Sequence, residues 1–421
     1  MAQADVVRGL TLDLPPSCIA FCPTQSNFFV VGTYYLHGKE QQEGDLREAN
    51  NAGPLPGDRE NTPPSPDVSA QKRTGSLILF QLEQDNITRV STITTDFAIL
   101  DIQWTLHPDK VGDDILAVAT STGLLAFYRL DAACQALVLS CVKRVCDSTT
   151  LVLSLTWHPF RPHVLGLTLS NGNVLLCECC NSSSAEGQLW SQDAVIAMHD
   201  IQQHGLEAWT MAFTTETAKT LSGGDDLVLQ CSQIQDEGED MQIEALWKDR
   251  KLHEAGVTAI LPLSDILVVT GSYDDHIRFL SVPSVGRRQT LASLNLGGGV
   301  WRLKLLAREK ADVVVPNNQK NMPEASESAP RQPCASLVLL ASCMHAGARI
   351  VRLARSRNEK WEFEVLAKFE EHKSMNYGSD VQPEREAEGG SAGVRSIVST
   401  SFYDRLLCLW KIDMGKIVPS N

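Results

Sequence analysis

No stretch of this chain approaches eighteen uninterrupted apolar residues, so nothing in the sequence reads as a membrane-spanning helix. Basic residues never run longer than a pair, and the formal net charge is −14. Phosphate binding needs a concentrated Lys/Arg surface, so neither nucleic acid nor a membrane is an expected partner. The opening "MAQADVVRGLTLDL" lacks an apolar core of signal-peptide length, and a cytoplasmic location is expected. There is no GxSxG elbow, no GxxxxGK(S/T), no HExxH and no GxGxxG leading into a helix. Those absences remove the ordinary hydrolase, nucleotide and zinc-protease signatures. No long segment with a 3.6-residue apolar period interrupts the chain, which argues against an α/β enzyme. The twelve cysteines read as reduced, mostly buried thiols. "CECC" at Cys177, Cys179 and Cys180 is followed by no second CxxC or His pair at zinc spacing. Alternation along a strand puts Cys177 and Cys179 on one face, so neither a metal nor any other cofactor is expected.

What the chain does have is a hydrophobic fraction of 43% over 421 residues, enough for a large core. Short β-rich runs recur along it with turn residues between them. They read "ILDIQWTLHPD…ILAVATSTGLLAFYRL", "VLSLTWHPFRPHVLGLTLSNGNVLLCEC", "HGLEAWTMAFTTETAKTLSGGDDLVLQCSQI" and "HEAGVTAILPLSDILVVTGSYDDHIRFLSVP". Further copies are "GGVWRLKLL…LVLLASCMHAGARIVRL" and "SIVSTSFYDRLLCLWKI", and "CIAFCPTQSNFFVVGTYYL" pairs across an insert with "GSLILFQL". Each unit runs from a first strand through an apolar second strand and a Gly/Asp/Asn turn to an alternating third. Units of roughly 45–50 residues in this order match a WD40 blade. The expectation is an all-β, seven-bladed WD40 β-propeller as a single domain, with its core over about residues 12–412. Residues 38–73, 308–334 and 378–393 are rich in Pro, Gly and charge, and read as flexible loop inserts in the first, sixth and seventh blades.

The repeat phase gives positions meaning. A WD40 blade commonly carries a His ahead of its inner strand and an Asp in the turn between its second and third strands. The Asp fixes the His and ties the turn to the preceding loop. "HGLEAWTMAF" fits from His204, "HEAGVTAI" from His253, and "EHKSMNYG" offers His372. The matching turn residues are Asp226, Asp274 and Asp404, with Asn171 in another unit, and all read as structural. In "GSYDDH", Asp274 therefore supports His253, Asp275 takes the usual glycine position, and His276 opens the next strand. Loops leading into inner strands place Glu207, Trp209, Gly256, Gly299, Trp301 and Tyr377 on the top face, and turns add Asp225, Asp275, His276 and His345. His345 stands where other blades have Ser or Gly, in a blade without a turn Asp. It lacks its usual structural partner, although a packed or merely exposed histidine reads equally well there.

The ordered set "HGLEAW…SGGDD", "TGSYDDHI", "GGVWRLK", "ASCMHAGARI" and "NYG" resembles the diphthine methyltransferase family, WD-repeat proteins of the diphthamide pathway. The likeness runs over nearly the whole chain apart from the inserts. It departs where "YG" runs into an insert, and where the fourth blade's final Trp is replaced near Ser232. The resemblance implies a methylesterase that hydrolyses the methyl ester of methylated diphthine on elongation factor 2, giving diphthine and methanol. Elongation factor 2 would then be the partner and protein substrate. The trimethylammonium of diphthine would lie against Trp209, Trp301 and Tyr377 by cation–π attraction, although blade packing accounts for those rings equally well. Asp275 and His276 join them as rim candidates for substrate binding. With no serine elbow, the expected chemistry is a water activated by His204 or His345, with Glu207 orienting the base or serving as base itself. The N–H groups of Gly298 and Gly299 in "GGGV" would be the oxyanion donors. These roles come from position alone.

A reading of another class stays open: a noncatalytic propeller scaffold for complex assembly or trafficking. A ubiquitin-ligase receptor is disfavoured because no WDxR follows the blades. The chain is expected to act as a monomer.

Overall fold

A computed structural model describes residues 2–38, 71–107, 114–180, 189–237, 240–310, 334–356, 358–384 and 393–417. Seven sheets stand around one axis, antiparallel throughout except where Ala2–Gln3 adds a short parallel edge to Trp361–Phe369. In the fourth, Ala208–Phe213, Thr220–Gly224, Leu229–Glu237 and Asp240–Asp249 follow one another from axis to rim. Each innermost strand touches those of the blades before and after it, so the ring closes. Burial grades outward in the way the sequence does. Second strands such as Val164–Leu169 and Ile115–Thr120 are buried at every residue, because neighbouring blades cover both faces. Outer strands such as Gln289–Asn295 alternate toward solvent. Between the second and third blades, Trp190 stacks on Phe127 at 4.5 Å and meets Trp157 edge-on at 5.7 Å. Cys177 and Cys179 lie in that same core cluster, on one face of their strand.

The seventh blade is built from both ends of the described chain. Gly378–Val381, Val394–Ser401 and Leu406–Asp413 are completed by Val6–Thr11, which pairs antiparallel with Leu406–Asp413. The fold thus begins ahead of residue 12. Val6–Thr11 gives little signal in sequence because nearly all of it is exposed.

Residues 39–70, 311–333 and 385–392 of the expected inserts lie outside the described residues. The edges of the inserts are corrected. Arg73 opens a strand of the first blade, and Lys310 and Cys334 belong to paired strands of the sixth. Gly378–Val381 is the inner strand of the seventh blade, paired from Gly378–Thr400 to Val381–Ile397, so "NYG" does run straight into a strand. The polar "GSD" hides it, since its carboxylate is buried by partners and not by apolar neighbours. Asp380 accepts the Phe21 N–H at 2.8 Å and pairs with Lys304.

Candidate functional site

Three histidines hold the lead-in loops, each in a different way. His204 donates from Nδ1 to Asp226 at 2.9 Å, and its Nε2 accepts from Ser222 Oγ at 2.8 Å. Acceptance by the carboxylate fixes the Nδ1–H tautomer. Burial pulls the His204 pKa down, against the pull of Asp226, and the ring stays neutral. His253 reaches Thr270 Oγ1 at 2.8 Å and His372 reaches Ser399 Oγ at 2.7 Å, both through Nε2. In neither does the turn aspartate touch the ring, which corrects the expected Asp274–His253 contact. What is common to all three is the backbone: Asp226, Asp274 and Asp404 accept the N–H of Gly205, Glu254 and Lys373 at 2.8, 2.9 and 3.0 Å. Asp274 is drawn further away by Arg278 at 2.8 Å. Burial pushes its pKa up, but the Arg278 hydrogen bond and the Glu254 amide prevail and hold it near about 2.

Those anchored loops present an arc of rings at the mouth of the axis. Trp209 lies 5.6 Å from Trp301 and 6.1 Å from Tyr273; Tyr273 lies 5.8 Å from Trp301. Trp301 continues to Tyr377 at 5.2 Å, and Tyr377 to Phe402 at 5.6 Å. All five rings are half-buried. Trp209 is the extra residue of a bulge, between the pairs Ala208–Gly224 and Thr210–Gly223, a device that re-aims a side chain out of its strand's alternation. Its indole N–H donates to Asp225 at 3.0 Å, and Asp225 N–H donates to the Glu207 carbonyl at 2.9 Å. Burial, with nearby Tyr377 and Asp225 adding to it, raises the Tyr273 phenol far above its ordinary pKa, so it stays protonated. Space for the arc depends on missing side chains. A Cβ on Gly256 would meet Asp225 at 2.7 Å and Tyr273 at 3.0 Å, and one on Gly299 would meet Met344 at 2.7 Å.

Below the arc, a cavity of about 650 Å³ follows the axis from Tyr377 past Arg302 and Asp101 to Pro23 and Leu106. Arg302 begins the sixth blade's inner strand, 5.4 Å over the Trp301 ring. Its Nη2 approaches Asp101 of the second blade across the axis at 3.5 Å.

The structure sorts the expected residues. Trp209, Trp301 and Tyr377 come together, with Glu207 beside them. His345 is exposed on the sixth blade's turn, which is braced where Asn376 N–H donates to Met344 O at 2.9 Å, just ahead of Tyr377. Asp275 has the left-handed φ of 65° expected of a glycine position, and His276 donates from Nδ1 to the Asp274 carbonyl at 2.6 Å. His204 is a correction: at 3% exposure with both nitrogens bonded, it cannot meet a docked substrate. Gly298 and Gly299 are buried and packed against the turn at residues 343–346. Sequence reasoning missed Tyr273, Phe402 and Arg302, although each sits inside a quoted motif: GSYDDH, SFYD and GGVWR.

No family model matches the chain. Among solved structures it is similar to a propeller in the mitotic checkpoint complex, with TM-score 0.58 and 12% identity over 98% of this chain and 93% of that one. Sqt1 of Saccharomyces cerevisiae matches with TM-score 0.55 and 9% identity over 98% and 100%. These likenesses concern the fold alone. By sequence the chain is similar to diphthine methyltransferase of Homo sapiens, 27% identical over 391 residues, covering 89% of this chain and 74% of the relative. The Saccharomyces cerevisiae protein of that name is 24% identical over 459 residues, covering 97% and 98%. The protein of that name in Schizosaccharomyces pombe is 31% identical over 351 residues, 82% of this chain and 88% of the relative. With that identity over most of both chains, on the seven-bladed frame described above, the chain belongs to the diphthine methyltransferase family.

Proposed function

We propose that this protein is a methylesterase of diphthamide biosynthesis, hydrolysing the methyl ester of methylated diphthine on elongation factor 2 to diphthine and methanol. The observation that carries the reading is the arc of five half-buried rings at the axial mouth, in a chain whose relatives are named for diphthine. Diphthine bears a trimethylammonium group. Aromatic faces attract such cations by roughly 0.5–2 kcal/mol per ring, more when water is excluded. Asp225 and Glu207 add negative charge beside Trp209. A folded partner cannot enter the channel, but one modified side chain can reach the mouth while its protein rests on the propeller face.

In the reaction a water loses a proton as its oxygen attacks the ester carbonyl carbon. The tetrahedral intermediate then expels the methoxy oxygen, which takes up a proton and leaves as methanol, and a carboxylate remains. Glu207 beside Trp209 and His345 on the turn near Tyr377 are the two base positions at the rim. Asp275 and His276 extend the rim toward the partner's backbone.

The test is incubation of the purified chain with elongation factor 2 carrying methylated diphthine, followed by intact mass. Conversion of the methyl ester to the acid at substoichiometric protein is expected. An unchanged mass at equimolar protein would sink the reading and leave the scaffold alternative. Glu207→Gln or His345→Gln should lower turnover by roughly 10²-fold at whichever position supplies the base. Full activity in both would remove both assignments.

A further inference from the structure

We propose that the axial mouth is a two-part site for a betaine group: the aromatic arc takes the quaternary ammonium, and Arg302 takes the adjoining carboxylate or ester carbonyl. The inference rests on the methylesterase reading for the identity of the substrate, while its geometry stands apart from any reaction. Arg302 is held but not saturated. One N–H goes to the Trp301 carbonyl at 3.3 Å and another faces Asp101 at 3.5 Å, both longer than the ~2.7–2.9 Å of a firm charge-assisted bond. A guanidinium has five N–H donors in a planar fork that fits a carboxylate bidentately. Its side chain is 27% exposed and lines the cavity immediately below Tyr377.

Asp101 does not depend on Arg302 to stay in place. Its side chain is 7% exposed, and its two oxygens accept the N–H groups of Ile102 at 3.1 Å and Leu155 at 3.2 Å. Arg302 can therefore turn from Asp101 to a ligand without undoing the neighbouring strands. Lys304, the next cation down the channel, is instead engaged by Asp380, a carboxylate that also holds the first blade through Phe21.

The pairing of charges selects the ligand. A quaternary ammonium alone would be drawn by the rings, Asp225 and Glu207 but repelled by Arg302. A simple carboxylate would be drawn by Arg302 but meet Asp101 and the electron-rich ring faces. A betaine, with both charges on adjoining carbons, answers both halves. In ester hydrolysis the same guanidinium faces the oxyanion as it develops and then holds the carboxylate product.

The experiment is titration of the full chain with glycine betaine, tetramethylammonium and acetate, read by the tryptophan fluorescence of Trp209 and Trp301. Betaine should bind at least tenfold more tightly than either fragment. Arg302→Gln should bring betaine down to the tetramethylammonium level while tetramethylammonium binding persists, which also reports a folded mouth. Should Arg302→Gln fail to fold, Arg302→Lys keeps the charge and loses the fork, and a several-fold weaker betaine affinity is expected. Betaine binding no tighter than tetramethylammonium in the unsubstituted chain, or unaltered by both substitutions, overturns the proposal. Hydrolysis of methylated diphthine without betaine preference would defeat this inference and spare the methylesterase reading. Betaine selection without hydrolysis would do the reverse.

Discussion

His253 and His372 are buried imidazoles with one bonded nitrogen each, and in both burial pulls the pKa down to about 4. The folded protein therefore resists protonation at these sites while the unfolded chain accepts it near 6.5. Below that value the unfolded state binds more protons, so stability present above pH 6.5 is lost as pH falls toward about 4, at roughly 1.4 kcal/mol per pKa unit for each ring. Thermal melts from pH 7.5 to 4.5 should show that fall, and His253→Gln should flatten it. An equal slope in that variant would assign the acid sensitivity elsewhere. Asp226 offers a contrast, since it serves both His204 and the Gly205 amide. Asp226→Ala leaves the Nδ1–H of the buried His204 ring and the Gly205 backbone N–H without their acceptor, while Ser222 still holds Nε2. A loss of about 1–3 kcal/mol in denaturant unfolding is expected.

At the scale of turns and strands, the mouth is a set of loops from different blades wedged together where glycines remove bulk. Gly298 leaves no room for a side chain: a Cβ there would sit 2.3 Å from the Cys343 carbonyl oxygen, a backbone atom that cannot swing aside. Gly298→Ala should displace the turn carrying Met344 and His345 and lower both stability and turnover. Gly205→Ala is the control, because its Cβ would find nothing nearer than 3.7 Å. Equal behaviour of the two variants would show that the wedge does not matter. The blades themselves were legible because apolar second strands and Gly/Asp turns repeat in a fixed order. Gly378–Val381 was not, since it buries Asp380 against Lys304 and a backbone amide and so reads as a loop. Within the site, Trp209, Trp301 and Tyr377 were legible from blade phase alone. Tyr273 lay in the very turn whose carboxylates drew attention, but its ring matters only through contacts with two other blades.

Arg302 marks the limit of that kind of reading at the scale of the whole ring. Nothing local connects it to Asp101; only closure of the propeller brings the sixth blade opposite the second. The mouth therefore depends on closure, and closure depends on Val6–Thr11 pairing with Leu406–Asp413. Ala4 and Leu12, at either end of that strand, are buried in two different core clusters, so the segment is packed in and not only hydrogen-bonded. Removing residues 1–11 should expose Leu406–Asp413 as a free sheet edge, a template for pairing with other chains. Calorimetry should give a melting temperature lower by roughly 5 °C or more, with aggregation visible in light scattering. Betaine titration of the truncated chain should weaken in the same preparation, because loosening the seventh blade shifts Tyr377 and Phe402 together. An unchanged melting temperature with unchanged betaine affinity would mean that three strands suffice to close the ring.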